Sequence, residues 1–355
     1  MVERPDAGAA QPRAADVTQP RTDVTPVLAE VTQPRTDVTQ VLAEVTQPAG
    51  GTSPSAELDA LFDRVPSIAR TPRTVEELPG GLTNRNYKVT TPDGIFVARV
   101  SSAGGDLLAI DRDHEYRNSV TAAAAGVGAP VIEYSPEAGV LVIGYIQGRT
   151  LTNADVAAPG NVTRIAQACR QLHSGGRFGN DFNMFDIQAR YLSVARSRGF
   201  RVPAGYDDLM TQFEAARAAL AVRDEGTVPC NNDLLAANFI DDGDRIHLID
   251  YEYAGNNDPC FELGNIWGEC HLSLEGLAEL VTAYYGRTPR SKIARARLLG
   301  LAGKYGWTLW GAIQSAASPI DFDFWAWAME RFDGAVAGFT APDFARLLDE
   351  VQRDD

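Results

Sequence analysis

The sequence predicts an α+β protein of two lobes, a small antiparallel β-rich N-lobe followed by a larger, mainly helical C-lobe. Short β-type runs separated by turn residues fill the chain from Leu78 to Ile146, whereas long helical patterns dominate after Gly148. The length of 355 residues also suits two lobes, at about 150 residues for each compact unit. We therefore place the N-lobe at residues 56–147 and the C-lobe at residues 148–355.

Residues 1–55 precede the N-lobe, and we predict that they form a disordered tail. They contain no aromatic residue, and the run Val17-Thr-Gln-Pro-Arg-Thr-Asp recurs from Val31. Prolines fall midway between regularly spaced valines, where they would interrupt a continuous helix. A segment without core-forming side chains cannot offset the entropy lost on folding. A docking segment for a partner, or a remnant of an expression vector, would share this composition.

The N-lobe elements follow from local patterns. Leu58, Leu61 and Phe62 have helical spacing, so order should begin with a helix near Ala56. A glycine-containing turn after Leu78 and a second turn at Pro92-Asp93-Gly94 separate three predicted strands, the last two of which form a hairpin. The remaining elements are a helix and two strands, at residues 106–125, 131–134 and 140–146.

The C-lobe reads as long helices with one exception, a short strand pair at residues 239–240 and 246–249. The longest nearly apolar stretch, residues 298–320, is long enough to span a bilayer. Lys304 and Gln314 lie inside it, so we predict a buried helix and no membrane span.

Composition limits the classes of partner and compartment. The chain has 47 acidic against 32 basic residues and a net charge of −15, which disfavours a nucleic acid as partner. The first residues lack the apolar core of a leader peptide, so a cytoplasmic location is expected. The four cysteines form no C-x-x-C pair, so the sequence predicts neither a zinc site nor a redox motif.

The strongest chemical signal is Asp233-x-x-x-x-Asn238, followed by an apolar strand and Asp250 in Ile-Asp-Tyr-Glu-Tyr. In phosphoryl transfer, one aspartate accepts the proton of the attacking hydroxyl, while an asparagine and a second aspartate hold magnesium. Carboxylate and amide oxygens are the ligands that this hard cation prefers. We therefore predict Asp233 as the catalytic residue, with Asn238 and Asp250 as ligands of Mg²⁺.

A glycine turn in the N-lobe suggests where a phosphate chain would bind. Gly80 and Gly81 allow the backbone to approach closely, and Thr83 and Asn84 can donate hydrogen bonds to phosphate oxygens. The turn lacks the pattern G-x-G-x-x-G, so an ordinary hairpin turn without a role in phosphate binding is an equal alternative.

These motifs, together with Trp307-Thr-Leu-Trp-Gly-Ala-Ile-Gln and Arg331-Phe-Asp, make residues 78–340 similar to the choline/ethanolamine kinase family. That family is related to aminoglycoside phosphotransferases. The resemblance implies a bilobal protein-kinase-like fold and an enzyme that transfers a phosphoryl group from ATP, with Mg²⁺, to an alcohol. The small-molecule acceptor would be choline first and ethanolamine second.

The resemblance also implies roles for individual residues around the nucleotide. Arg99, at the end of a strand, would contact the α- and β-phosphates, and Glu115 would hold its guanidinium in place. Tyr145 and Ile146 would form the hinge whose backbone meets the adenine.

On the acceptor side, the resemblance implies an aromatic and acidic cage. A quaternary ammonium cannot donate a hydrogen bond, so aromatic faces and carboxylate charge must hold it. The expected cage residues are Tyr253, Glu269, Trp307, Trp310 and Trp327.

One position departs from the family pattern. Related families carry a histidine two positions before the catalytic aspartate, where this chain has Asn231. We expect Asn231 to replace it in part by hydrogen-bonding the catalytic loop or the Asp250 region, while His173 has a structural role. Two alternatives remain: a kinase for an aminoglycoside, thiamine or a sugar, and a noncatalytic pseudokinase scaffold.

Overall fold

The computed structural model describes residues 55–101 and 105–355. The predicted tail, except its last residue, lies outside the described residues. Within them, the chain has the predicted order of a β-rich lobe followed by a mainly helical lobe.

The N-lobe is built on a five-stranded antiparallel sheet in the order β1-β2-β3-β5-β4. A short helix, α1, precedes the sheet, and α2 lies between β3 and β4. Their bounds are α1 Ala56–Phe62, β1 Thr74–Leu78, β2 Asn84–Thr91, β3 Gly94–Ser101, α2 Arg112–Ala124, β4 Val131–Ser135 and β5 Val140–Gly144.

Side-chain alternation gives this sheet its core. Tyr87 and Val89 on β2 and Ala98 on β3 are buried, and the register pairs Tyr87 directly with Ala98. Phe62 of α1 meets the Tyr87 ring edge-on at 5.7 Å. Alternate residues therefore fill one face of the sheet, as the period of a half-buried strand predicts.

Helix α2 begins later than the sequence suggested. Residues 105–108 form a 3₁₀ turn, and the α-helix starts after Asp111, whose carboxylate accepts the backbone N–H groups of Asp113 and His114. The N-cap at Asp111 satisfies amides that would otherwise lack partners. The predicted helix over 106–125 is thus shorter, although its end near Gly126 is confirmed.

The described part of the C-lobe contains nine α-helices and two small β-sheets. The helices are α3 Asn153–Val156, α4 Asn161–His173, α5 Met184–Ser197, α6 Met210–Ala221, α7 Pro259–Glu269, α8 Leu274–Tyr285, α9 Arg290–Ala317, α10 Phe324–Phe339 and α11 Phe344–Glu350. The strands are β6 Arg149–Thr150, β7 Val228–Cys230, β8 Phe239–Asp241, β9 Ile246–Leu248 and β10 Gly255–Asn257.

Strands β8 and β9 form the predicted pair, and β6 adds to its edge. A second pair, β7 with β10, was not predicted from the sequence, because strands of three residues are too short to show a period. The loop that carries Asp233 and Asn238, which the sequence predicts to be catalytic, follows β7 directly, so the β7–β10 pair fixes where that loop begins.

Helix α9 spans 28 residues and is buried over most of its length, as predicted for the stretch from residue 298. It packs tightly against α7: a Cβ placed on Gly264 would lie 2.1 Å from the carbonyl oxygen of Ala296, and one on Gly300 would lie 2.6 Å from that of Gly264. Only glycine permits this approach. No helix in residues 55–101 and 105–355 is long and apolar enough to cross a membrane.

Candidate active site

The catalytic loop follows β7 and is held by α7. The Glu262 carboxylate, fully buried, accepts the backbone N–H groups of Asn231 and Asn232 at 2.9 and 2.8 Å. The Asn265 side-chain oxygen accepts the N–H of Leu234 at 2.8 Å. Asn232 adopts a positive φ of 69°, a conformation that asparagine tolerates better than most residues. Two side chains of one helix therefore fix the backbone on both sides of Asp233.

Asn231 makes the contacts expected of a substitute for the family histidine. Its side-chain N–H₂ donates to the carbonyl oxygens of Ile249 and Asp250 at 3.1 and 2.9 Å. Its side-chain oxygen accepts the N–H of Asp233 at 3.1 Å. The predicted hydrogen-bonding role is confirmed, because one amide ties the backbones of both aspartates together.

His173 lies away from this centre. Its Nδ1 is 2.7 Å from the Tyr284 hydroxyl, and its Nε2 is 3.6 Å from Cys230 Sγ and 3.5 Å from Glu262. The ring is buried, and it braces the carboxylate that holds the catalytic loop. These contacts agree with the structural role expected for this residue.

Asp233 is half-buried and lies among several other carboxylates. Burial raises the pKa of its carboxyl well above the ordinary value, Asp250, Glu269 and Glu252 raise it further, and Arg331 opposes them. Its carbonyl oxygen accepts the Asn238 side-chain N–H₂ at 2.7 Å. Carboxylate crowding of this kind is typical of sites that bind a divalent cation or move a proton.

The three predicted magnesium and catalytic residues therefore lie in one connected segment. Asn238 uses its side-chain nitrogen on the Asp233 backbone, which leaves its side-chain oxygen for a ligand. Asp250, at φ 65°, receives Arg99 on Oδ1, which leaves Oδ2. Oxygen donors in an excess of negative charge fit Mg²⁺ by their chemistry.

Arg99 and Glu115 form the predicted pair. Arg99 Nε and Nη2 lie 3.2 and 3.1 Å from Glu115 Oε1, and both side chains are buried. Arg99 also donates to Asp250 at 2.5 Å, a contact that the sequence did not suggest. Burial lowers the pKa of Arg99, but Asp250, Glu115 and Glu252 together hold it above the ordinary value.

Glu252, for which the sequence predicted no role, connects the glycine turn to the C-lobe. The Thr83 hydroxyl and the Asn84 side-chain N–H₂ donate to it at 2.7 and 2.9 Å. Arg112 of α2 donates to it at 3.1 Å. Burial and then Asp250 raise the pKa of Glu252 to about 7. The donors predicted for a phosphate chain thus bind a carboxylate here.

The glycines of this turn are required by its geometry. Gly80 has a φ of 100°, and a Cβ on Gly81 would lie 2.0 Å from the Asn84 carbonyl oxygen. Neither position tolerates a side chain without a shift of the backbone. The turn therefore depends on glycine at both positions, and its role in binding phosphate stays a prediction.

A cleft opens between the N-lobe sheet and the Asp250 segment. Its lining combines Arg99 and Asp250 with apolar side chains of both lobes, namely Ala129, Leu141, Ile143 and Ile249. Strand β5 supplies one wall and leads directly into Tyr145, whose N–H donates to the Ile95 carbonyl oxygen at 3.1 Å. Tyr145 and Ile146 thus follow the wall of the cleft, where a hinge segment is expected.

The aromatic residues predicted for the acceptor lie in contact with one another. Tyr253 meets Trp307 edge-on at 5.0 Å, and its hydroxyl accepts the Trp310 indole N–H at 2.7 Å. Trp310 and Trp327 have ring centroids 4.9 Å apart. Helices α9 and α10 therefore bring the three tryptophans and Tyr253 into one cluster.

Arg331, for which the sequence predicted no individual role, also contacts the cluster. Its guanidinium carbon lies 3.3 Å from the centre of the Trp327 ring, and Nη2 donates to Glu269. Glu269, predicted to supply negative charge to an acceptor, is thus paired with a cation of the chain itself.

Comparison with known proteins places this arrangement in a family. Residues 74–299 match the model of the phosphotransferase enzyme family. A solved structure of a choline/ethanolamine kinase family protein from Mesorhizobium loti is 32% identical, with a TM-score of 0.74 over 83% of this chain and 98% of that one. The chain belongs to the phosphotransferase enzyme family, in its choline/ethanolamine kinase branch.

Curated relatives of this family agree with that placement. Ethanolamine kinase 2 of Rattus norvegicus is 30% identical over 284 residues, 71% of this chain and 73% of that protein. Protein LicA of Haemophilus influenzae is 28% identical over 270 residues, 72% of this chain and 77% of that protein. The resemblance, the bilobal protein-kinase-like fold and the phosphotransferase class predicted from the sequence are confirmed.

Proposed function

We propose that this chain transfers the γ-phosphoryl group of ATP to the hydroxyl of a small amino alcohol, with choline as the first acceptor and ethanolamine as the second. One observation carries the proposal: the Asp233–Asn238–Asp250 segment lies between a cleft containing Arg99 and a cluster of buried aromatic rings around Trp310. Relatives named as ethanolamine kinase and as a choline/ethanolamine kinase family protein support the choice of acceptor. ATP, Mg²⁺ and a cytoplasmic location are part of this proposal.

On the nucleotide side, Arg99 would bind the α- and β-phosphates. Glu115 fixes its guanidinium, which is the arrangement needed to present a fork of N–H donors to phosphate oxygens. The glycine turn would add Thr83 and Asn84 as donors once they exchange Glu252 for phosphate oxygens. Tyr145 and Ile146 would provide backbone groups for the adenine.

Asn238 and Asp250 would hold Mg²⁺ through their remaining side-chain oxygens. When bound, the ion supplies positive charge that neutralises the phosphate oxygens during transfer. The rest of the chemistry belongs to side chains of this chain.

Asp233 would act as the general base. It accepts the proton of the acceptor hydroxyl as the oxygen–phosphorus bond forms and the bond between the γ-phosphorus and the β–γ bridging oxygen breaks, which releases ADP. The raised pKa of Asp233 makes it a stronger proton acceptor than an exposed aspartate. Asn231 and Glu262 keep the carboxylate in place through the backbone.

The acceptor ammonium would bind among Tyr253, Trp307 and Trp310. Their rings form the apolar, electron-rich surface that a quaternary ammonium requires. These rings lie close to the catalytic loop, since Tyr253 follows Asp250 by three residues and its backbone carbonyl accepts the Asn232 side-chain N–H₂ at 3.0 Å.

An acceptor panel tests the proposal. We would measure ADP release with ATP and Mg²⁺ for choline, ethanolamine, thiamine, an aminoglycoside and neutral sugars. Choline or ethanolamine should give the highest kcat/KM. Faster turnover of a sugar or an aminoglycoside would reassign the acceptor, and no turnover with any acceptor, despite nucleotide binding, would favour a pseudokinase scaffold.

A further inference from the structure

Arg331 occupies an unusual position for a cation in a site expected to bind a cation. It lies one helical turn after Trp327 on α10, with its guanidinium carbon 3.3 Å from the ring centre. Nη2 donates to Glu269, and the two side chains are 12% and 7% exposed. Nη1 also lies 3.4 Å from the Trp327 carbonyl oxygen. Both Nη atoms of the Arg331 guanidinium therefore have a hydrogen-bond partner.

This contact changes what the acceptor cage can offer. One face of Trp327 is covered by the guanidinium, and Glu269 already accepts a charge-assisted hydrogen bond. Trp327 contacts Trp310, which donates to Tyr253, and the Tyr253 carbonyl oxygen accepts the side-chain N–H₂ of Asn232, so the pair adjoins the aromatic cluster beside the predicted catalytic loop. Glu269 is therefore close to the acceptor but engaged by the chain.

The remaining wall of the cage offers rings and few hydrogen-bond acceptors. The Tyr253 hydroxyl receives the Trp310 indole N–H. The Trp307 indole N–H has no hydrogen-bond partner among the described residues, but it is a donor and cannot serve an ammonium.

The chemical consequence differs between the two acceptors. A quaternary ammonium has no N–H group, so it loses nothing in a cage of aromatic faces. A primary ammonium carries three N–H donors, and each donor left unpaired in a buried site is costly. A free Glu269 would satisfy such donors, whereas a Glu269 bonded to Arg331 satisfies them less well.

Resting on the proposed function, we propose that Arg331 is a specificity-determining residue. By engaging Glu269 and covering Trp327, it withholds a carboxylate acceptor from primary ammonium groups and so favours N-methylated amino alcohols. Arg331 acts through Glu269, and it takes no part in the transfer step.

The test is the substitution Arg331→Met, which keeps an unbranched apolar side chain against Trp327 and removes the hydrogen bond. The ratio of kcat/KM for choline to that for ethanolamine should fall about tenfold, the effect of one charge-assisted hydrogen bond made available to ethanolamine. Arg331→Lys keeps a cation beside Glu269 and should keep most of the ratio. The ATP KM should stay unchanged in both variants.

Arg297→Met is the matched control. Arg297 is also a mostly buried arginine of the C-lobe, paired with Asp343 at 2.8 Å and with its Nε unpartnered among the described residues, as is the Nε of Arg331. Its removal costs a comparable ion pair outside the aromatic cluster. A ratio that falls equally in Arg297→Met and Arg331→Met would overturn the proposal, because it would reflect general loosening of the lobe.

A second measurement covers a variant that folds but turns over too slowly. Titration calorimetry of choline and ethanolamine into the wild type and Arg331→Met should show ethanolamine affinity rising relative to choline affinity. An unchanged or higher preference for choline would overturn the proposal. A wild type that phosphorylates neither amine would instead remove the proposed function, and this inference with it, so the two failures are distinguishable.

Discussion

The two sides of the proposed transfer centre, the nucleotide side and the acceptor side, differ in the chemistry of their side chains. On the nucleotide side, Arg99, Arg112, Glu115, Asp250 and Glu252 form a buried network of ion pairs and charged hydrogen bonds. On the acceptor side, aromatic rings dominate, and Arg331 beside them is paired with Glu269 and, at 4.0 Å, with Glu330. Charged hydrogen-bond donors are suited to binding phosphate oxygens. Aromatic ring faces are suited to binding a quaternary ammonium, which cannot donate hydrogen bonds.

Asp233 lies between the two sides, so its removal should have the largest effect. Asp233→Asn keeps the shape of the side chain but cannot accept the hydroxyl proton, and kcat should fall by roughly 10²–10⁴-fold. Steady-state kinetics with choline would measure this loss. Nucleotide affinity, followed by calorimetry, should remain close to that of the wild type. Turnover near the wild-type rate would remove Asp233 from the mechanism.

ATP binding should weaken when the guanidinium group of Arg99 is replaced. Arg99 bonds Glu115 and Asp250 through two nitrogens, and lysine cannot reproduce that geometry. Arg99→Lys should raise the ATP KM by about 10- to 100-fold, as expected for lost hydrogen bonds to charged groups. The choline KM, measured at saturating ATP, should change little. A variant with wild-type ATP kinetics would show that Arg99 is only structural.

Removing an aromatic ring on the acceptor side should weaken choline binding and leave ATP binding unchanged. Trp310→Ala removes a ring that contacts Trp327 and donates to Tyr253, and it should raise the choline KM about 2- to 30-fold from lost cation–π contact. The ATP KM should scarcely change. Trp325, which stacks with Arg201 elsewhere on α10, provides the matched control in Trp325→Ala. If both variants change the choline KM equally, the aromatic cage is misassigned.

The smallest effect is expected from removing the tail. The sequence predicts that residues 1–54 take no part in either side of the site. A chain that begins at Ser55 keeps the residue whose hydroxyl accepts the Leu58 N–H at the start of α1. Its kcat/KM for ATP and for choline should equal those of the full chain. A large loss in either value would show which side of the site the repeats support.

The sequence predicted those parts of the site that depend on short spacing. Asp233 and Asn238 share one loop, and Asp250 follows the strand that returns from it. Local backbone geometry keeps such residues close together, so residue type and spacing were sufficient to predict them. The Arg99–Glu115 pair was expected from the family resemblance, and the structure contains it.

The missed residues depend on contacts between distant parts of the chain. Glu252 meets Thr83 across 169 positions, and Arg331 meets Glu269 across 62. Periodicity carries no information on such pairings, which packing of the finished fold decides. The same reason explains β7 and β10, whose pairing depends on how the two halves of the lobe meet rather than on their three-residue sequences.

The glycine contact between α7 and α9 fixes the distance between these two helices. Helix α7 carries Glu262 and Asn265, which hold the catalytic loop, while α9 carries Trp307 and Trp310. Because Gly264 and Gly300 meet backbone to backbone, no side chain can act there as an adjustable spacer. An acceptor of a different size would therefore require different aromatic side chains in the cluster around Trp310, because the distance between α7 and α9 is fixed.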